Sequence, residues 1–473
     1  MSERITKGVL FCGAGLAALL LAFAALSRPW YFTSQKYLGG LILLEFLIAA
    51  VWFYQRIFLP VILMAFLLAG VDLPVGTVWA EARWLFLTVG AVAGVLIVLK
   101  DRRHHYGLFH AVAAFAVLTA LVSATVSRYP NVALLKVLSL LLLFLYSGTG
   151  ARIAVRGREN RFFAGLILGC EVFVGAIAAL HVFGIGAMGN PNSLGAVMAI
   201  VGAPILLWGV LVAGEPSVRY RRGILFAVCT YLGFVSHSRA GLAAAFCSCA
   251  LLCLALRKYK MFIEGLIVLV IVLAATAIVQ PEFIPSITSS VLYKGGTREQ
   301  GILASRKSAW HTVIDNIREH PWFGTGLGTT ADGGDPNAET TKFSSTTNVT
   351  MENGSSYLSI LAGVGVVGAI PFSILLLLLL GRVVRTVRFM WNTGAAAHAA
   401  VPLAMVVVAG FIHAFLEDWM FAGGNYLCVF FWSIAFILVD VTTLASFSVA
   451  PGYAVRWTNR DVPRTVAQPL STQ

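Results

Sequence analysis

Ile224–Leu256 reads ILFAVCTYLGFVSHSRAGLAAAFCSCALLCLAL, an apolar run interrupted only by Ser236-His237-Ser238-Arg239. As one helix, these 33 residues would reach about 50 Å, against a hydrocarbon core of about 30 Å. Two short spans around a tight turn at Ser238-Arg239 fit better. The choice also sets the sidedness of everything downstream, because a single span would move every later basic cluster to the opposite face.

With two spans the basic clusters alternate consistently. Arg56, Lys100-Asp101-Arg102-Arg103, Arg152, Arg156, Arg158 and Arg161 fall on the side of Met1. Arg219, Arg221, Arg222, Arg257, Lys258, Lys260, Arg382, Arg385 and Arg388 follow suit, as do Arg456, Arg460 and Arg464 in the tail. Both termini are then cytoplasmic. The net charge of +13 is read as topology, not as a nucleic-acid footprint.

The composition agrees: 59% hydrophobic and 12% charged residues, with a mean hydropathy of +0.85. The apolar runs are continuous rather than alternating, which excludes an outer-membrane barrel and gives an all-α polytopic membrane protein of about 12–14 transmembrane helices. The runs are Gly8–Leu26, Tyr37–Phe53, Phe58–Val71, Trp84–Leu99, Gly107–Thr125, Val132–Gly148 and Phe162–Phe183. Ser193–Ala213, Ile224–Val235, Gly241–Leu256, Met261–Val279, Tyr357–Leu380, Ala396–Leu416 and Asn425–Val439 complete the set. The first is read as an uncleaved span.

This divides the chain into N-terminal helices (1–100), a transmembrane core (107–281), a long outer loop (282–355), C-terminal helices (356–441) and a disordered tail (442–473). All cysteines (Cys12, Cys170, Cys229, Cys247, Cys249, Cys253, Cys428) lie in spans, so no disulfide framework or thiolate metal site is readable. Glu45 and Glu171 are the main intramembrane acids and read as helix–helix hydrogen-bond partners.

The outer loop begins with an amphipathic helix, Ser305–Arg318, in which Trp310, Val313, Ile314 and Ile317 form an apolar stripe. Arg306 shares the face of Trp310, while Lys307, Asp315, Arg318 and Glu319 read as solvated. After His320-Pro321, Gly324-x-Gly326-x-Gly328 reads as a tight turn, since neither a preceding strand nor a Walker lysine accompanies it. Other outer-face groups are Arg128, Lys136, Asn190-Pro191-Asn192, Arg239 and the Glu417-Asp418 turn. Arg128 serves equally as an interfacial anchor. Arg239, held near headgroup depth by two short spans, suits a phosphate or diphosphate. Glu352, just before the helix opened by Tyr357, is either a helix cap or a general base toward a hydroxyl.

Together these residues resemble the O-antigen ligase and O-antigen polymerase superfamily. The resemblance rests on Gly189-Asn190-Pro191-Asn192, Ser238-Arg239-Ala240-Gly241, Arg306-x-x-x-Trp310 and Pro321-Trp322-Phe323-Gly324-x-Gly326-x-Gly328. It continues into Tyr357-Leu358 with Gly363, Gly365 and Gly368, and covers roughly Phe109 to Phe436. It implies a membrane-embedded, GT-C-like, metal-independent inverting glycosyltransferase without cofactor, in the bacterial inner membrane with its site facing the periplasm. The donor would be a glycan on undecaprenyl diphosphate and the acceptor a glycan or glycolipid, with a chain-length regulator as a candidate partner and no nucleic acid. Arg239 and Arg306 would hold the diphosphate, with Arg128 and Lys136 as weaker candidates and Asn190, Asn192, Trp310 and Tyr357 lining the substrate.

Many members carry a His-Asn pair shortly before the Tyr-Leu. Here Glu352-Asn353 stands instead, which makes Glu352 the candidate base and favours a polymerase-like role over ligation to lipid A-core. The competing expectation is a transporter or flippase of lipid-linked sugars, which should show repeat-related broken spans; no internal repeat is evident.

Overall fold

The computed structural model describes residues 59–70, 76–100, 106–184, 188, 191–279, 304–329 and 354–443. Among the sequence-derived features, the runs Gly8–Leu26 and Tyr37–Phe53, Glu45, Asn190, Glu352 and nearly all of the tail lie outside the described residues. Each remaining apolar run coincides with a helix, and there is no strand among the described residues. The protein is an all-α polytopic membrane protein.

In chain order the helices are α1 (Leu59–Ala69), α2 (Gly76–Lys100), α3 (Leu108–Val126), α4 (Pro130–Val155), α5 (Glu159–Val182) and α6 (Asn192–Leu211). They continue as α7 (Pro216–Val235), α8 (Arg239–Ala255), α9 (Tyr259–Val279), α10 (Ala304–Glu319), α11 (Ser356–Thr393), α12 (Ala400–Ala414) and α13 (Tyr426–Thr443). Seven helices of the described residues are long and apolar enough to cross a membrane, with α1, α8 and α12 as shorter apolar helices. The long apolar run at 224–256 divides as its length requires: α7 ends at Val235 and α8 starts at Arg239.

Helices α12 and α13 form the centre. Both are apolar on every side, as a helix enclosed by others must be. Almost every α12 residue from Ala400 to Gly410 is buried, and on α13 Phe431, Trp432 and Phe436 are fully enclosed. Around them pack α4, α6, α8 and α11, and Phe109 of α3 meets Phe436 of α13 edge-on with ring centroids 5.0 Å apart. Glu171 on α5 is buried and paired to Arg222 (2.9 Å) and Arg221 (2.8 Å) of α7, so this intramembrane acid does join two helices. Cys247, Cys249 and Cys253 on α8 are exposed, half-buried and buried respectively, as packing residues at that spacing would be.

The apolar run at Tyr357 forms a helix longer than its hydropathy suggests, and one that is broken. Gly365 has φ 66° and ψ −178°, which interrupts the hydrogen-bond ladder of α11. Within a membrane, freed backbone groups must find partners inside the protein. The Pro321–Gly326 segment supplies them in both directions. Val366 N–H donates to Pro321 O (2.8 Å) and Val367 N–H to Trp322 O (3.2 Å); in return Thr325 N–H donates to Ala362 O (3.0 Å) and Gly326 N–H to Gly363 O (2.9 Å). From α3, Ser123 Oγ lies 2.6 Å from both Phe323 O and Gly363 O, and Ser127 Oγ donates to Thr325 O at 2.6 Å. The glycine-rich turn is therefore geometry, as its sequence indicated, but the backbone it approaches is that of α11.

A Cβ at Gly365 would lie 2.4 Å from Trp322 C, at a backbone angle that L-residues avoid. Gly365→Ala should therefore destabilise the protein by about 3 kcal/mol or more, read as a lowered thermal midpoint of the detergent-solubilised chain. Gly381→Ala in the same helix meets nothing within 4 Å and should be neutral or stabilising by up to about 1 kcal/mol.

Candidate active site

Three segments meet at the end of the bundle where α10 lies. The first is the α7–α8 turn. His237 takes the left-handed conformation (φ 52°), and Ser238 caps α8 by accepting from Gly241 N–H at 3.2 Å. Gly195 of α6 packs so closely that a Cβ there would sit 2.2 Å from Ser236 Oγ and 2.4 Å from Ser238 Cβ. These fixed points deliver a half-buried Arg239 in the first turn of α8. Asn192, half-buried, lies three residues before Gly195 at the start of α6.

The second segment is α10. Val313 is buried, and Arg306, Trp310 and Ile317 are half-buried. The stripe differs from expectation at one position: Ile314 is 37% exposed, while Asn316 is buried. The inward face thus runs through 306, 310, 313 and 316/317, and it puts Arg306 at its rim. Lys307, Asp315, Arg318 and Glu319 are exposed as expected. Gly354, in a left-handed conformation, seals this face: its Cβ position lies 3.2 Å from Trp310 Nε1 and 3.3 Å from Arg306 Cδ. Trp310 Nε1–H donates to Gly354 O at 3.4 Å.

The third segment is the turn after α12. Arg306 Nη2 forms an ion pair with Glu417 Oε1, and the two side chains are 13% and 17% exposed. Arg306 and Glu417 are also the charged neighbours that act on Arg239. Fully buried Ser356 fixes the turn: its Oγ donates to Glu417 O (2.8 Å) and accepts from Trp419 N–H (3.1 Å) and Met420 N–H (3.0 Å). Below it, Trp419 Nε1–H donates to His413 Nδ1 at 2.9 Å. The His413 proton therefore sits on Nε2, which is buried without a hydrogen-bond partner among the described residues. Arg306 is a charged neighbour of His413.

The structure thus brings Arg239, Arg306 and Trp310 together with Glu417. Tyr357 lies nearby, its hydroxyl donating to Phe411 O at 2.9 Å. Arg128 is exposed, with its guanidinium 5.9 Å from the ring of Tyr129. Lys136 has Asp418 and Arg83 as its charged neighbours rather than Arg239 or Arg306. Glu417 was visible in the sequence only as an acid in a turn before a tryptophan. Its role as the partner of Arg306 was not, because α10 and the α12–α13 turn are more than a hundred residues apart.

The fold defines a polytopic membrane protein whose polar and charged groups converge at one end of the bundle. Within it, residues 224–373 match the family model described as O-antigen ligase, a likeness to the O-antigen ligase superfamily over that part of the chain. The matched stretch runs from α7 into α11 and contains Arg239, Arg306 and Glu352; Lys136 and Glu417 fall outside it. The match supports a membrane enzyme of O-antigen and lipopolysaccharide assembly that transfers glycosyl groups. No curated protein matches the chain.

The Arg306–Glu417 pair should couple in a double-mutant cycle with Arg306→Ala and Glu417→Ala by about 1–3 kcal/mol of stability. Ser356→Ala, which strands the two backbone N–H groups of Trp419 and Met420, should cost about 2–3 kcal/mol. Both are measured by unfolding of the purified protein.

Proposed function

We propose that this chain is an inner-membrane glycosyltransferase that moves a glycan from undecaprenyl diphosphate to an acceptor sugar hydroxyl on the periplasmic face. The observation that carries this reading is the convergence of Arg239 and Arg306, from separate segments, on one half-buried place at the loop end. Two guanidinium groups held this way present forked donors matched to phosphate oxygens.

In the proposed reaction the diphosphate of the donor lies against Arg239 and Arg306. Glu352, two residues before Gly354 in the sequence, accepts the proton of the acceptor hydroxyl. The hydroxyl oxygen bonds to the anomeric carbon on the face opposite the leaving group, with inversion. The bond from that carbon to the diphosphate oxygen breaks, and its electron pair leaves with undecaprenyl diphosphate. The charge that develops there is met by the two guanidinium groups, in the role a divalent cation takes in other transferases. Before the donor arrives, Glu417 keeps Arg306 in position. Glu352 in place of the family's His-Asn pair favours a polymerase-like acceptor, a growing glycan, over lipid A-core.

The test uses purified protein with a lipid-diphosphate glycan, following release of undecaprenyl diphosphate. Arg239→Ala and Arg306→Ala should each lower kcat by about 10²–10³-fold, as expected for losing a donor to the developing charge. Glu352→Gln should lower it by about 10²–10⁴-fold, as for losing a general base. Full turnover in the double variant Arg239→Ala, Arg306→Ala would overturn the mechanism.

A further inference from the structure

His413 lies in the last turn of α12, six residues before Trp419, and is enclosed by the bundle. Its Nε2–H is buried without a hydrogen-bond partner among the described residues. A stranded donor makes a side chain less favourable than an apolar one of the same shape. What the imidazole supplies is an acceptor: Nδ1 receives the indole N–H of Trp419 at 2.9 Å.

Trp419 has a fixed seat. It is 3% exposed, meets the Phe431 ring edge-on with centroids 5.6 Å apart, and lies 3.5 Å from the Cβ position of Gly410. From Trp419 the contacts run in a closed ring. Its backbone N–H donates to Ser356 Oγ (3.1 Å), and Glu417 O accepts from both Ser356 Oγ (2.8 Å) and Ser356 N–H (3.1 Å). Two residues before Ser356, Gly354 O accepts from Trp310 Nε1–H at 3.4 Å, and the Gly354 Cβ position is 3.3 Å from Arg306 Cδ. Trp310 and Arg306, four residues apart, are neighbours on α10. Arg306 closes the ring through its ion pair with Glu417.

Glu417 is thus held at both ends, by Ser356 at its carbonyl and by Arg306 at its carboxylate. The bond from Trp419 to His413 ties the whole turn to α12. Arg239 has a different support, the α7–α8 turn packed on Gly195.

We propose that His413 is a positioning residue for Arg306, acting from inside the bundle through Trp419 and Glu417. This rests on the role given to Arg306 in the transfer reaction above. A guanidinium carries five donors in a planar fork. With Nη2 engaged by Glu417, the place of that carboxylate sets how the rest of the fork faces the donor diphosphate. Without the His413 acceptor the indole loses its anchor, the turn shifts, and the fork turns with it.

The test follows kcat for release of undecaprenyl diphosphate by the full-length protein in nanodiscs. His413→Phe keeps a ring in place but removes the acceptor, and should lower kcat about tenfold or more, within the ~10² of a 1 Å misplacement. His413→Asn restores an acceptor near the position of Nδ1 and should stay within about fivefold of wild type, the worth of one neutral hydrogen bond. A double-mutant cycle separates positioning from a merely structural role. Added to Arg306→Ala, His413→Phe should lower kcat no further than about twofold, because the group it positions is gone. Added to Arg239→Ala, it should show its full effect. Wild-type kcat in His413→Phe, no rescue by His413→Asn, an undiminished loss in the Arg306→Ala background, or no further loss in the Arg239→Ala background overturns the proposal. Should His413→Phe not fold, Trp419→Phe removes the donor of the same bond and is put through the same cycle. Failure of the transfer reading shows separately, as wild-type turnover in Arg306→Ala itself.

Discussion

The architecture depends on the repair of one helix break. Where α11 is interrupted at Gly365, its backbone groups are freed at a place where lipid offers no substitute for water, and each unpaired group would cost several kcal/mol. The Pro321–Gly326 segment fills the gap by exchanging hydrogen bonds with it, and Ser123 and Ser127 tie the joint to α3. A segment following α10 is thereby locked to the membrane bundle. Its position, and with it that of Arg306, is set by backbone pairing and not by the weaker apolar stripe alone.

The α12–α13 turn is the second organising element. Its conformation is fixed from below by Ser356 and His413, so Glu417 emerges in a set relation to α10. Breaking a half-buried ion pair costs more than breaking a surface pair, because the stranded charge cannot recover full hydration. This makes the turn the place where Arg306, from a distant part of the chain, is held in register. Of the glycines that border it, Gly423 has no room for a side chain, since a Cβ would lie 2.8 Å from Ser139 Oγ, while Gly424 packs against the Trp84 ring, 3.2 Å from its Cβ position.

Most of the helices were legible in the sequence because continuous apolar runs and alternating basic clusters obey the bilayer directly. The division at Ser238-Arg239 followed from length together with the alternation of basic clusters, and Arg306 from its spacing to Trp310. What escaped depended on tertiary partners. Gly365 looks like any small residue in an apolar helix until Trp322 is laid against it. Ile314 was assigned to the inward face because it fits the helical period, but the helix is rotated so that Asn316 turns inward in its place. Arg83, at the start of a span, carries no signal of its own; its hydrogen bond to Gly424 O, across the chain, appears only in the fold. Glu417 was noticed as an outer-turn acid, but its choice of Arg306 is a property of the folded chain.

The helix break also imposes an order of events on biosynthesis. Ser123 and Ser127 are made first, the Pro321–Gly326 segment much later, and the gap at Gly365 that receives it later still. The ribosome has by then delivered Arg239 and Arg306 but not Glu417, which arrives only after α12. Until then Arg306 lacks the carboxylate that pairs with it in the folded chain. The last helices of the described residues to emerge, α12 and α13, fill the centre of the bundle, and the turn between them brings Glu417 to Arg306. The residues that close the core and the carboxylate that completes the polar end thus belong to one late-synthesised stretch of chain.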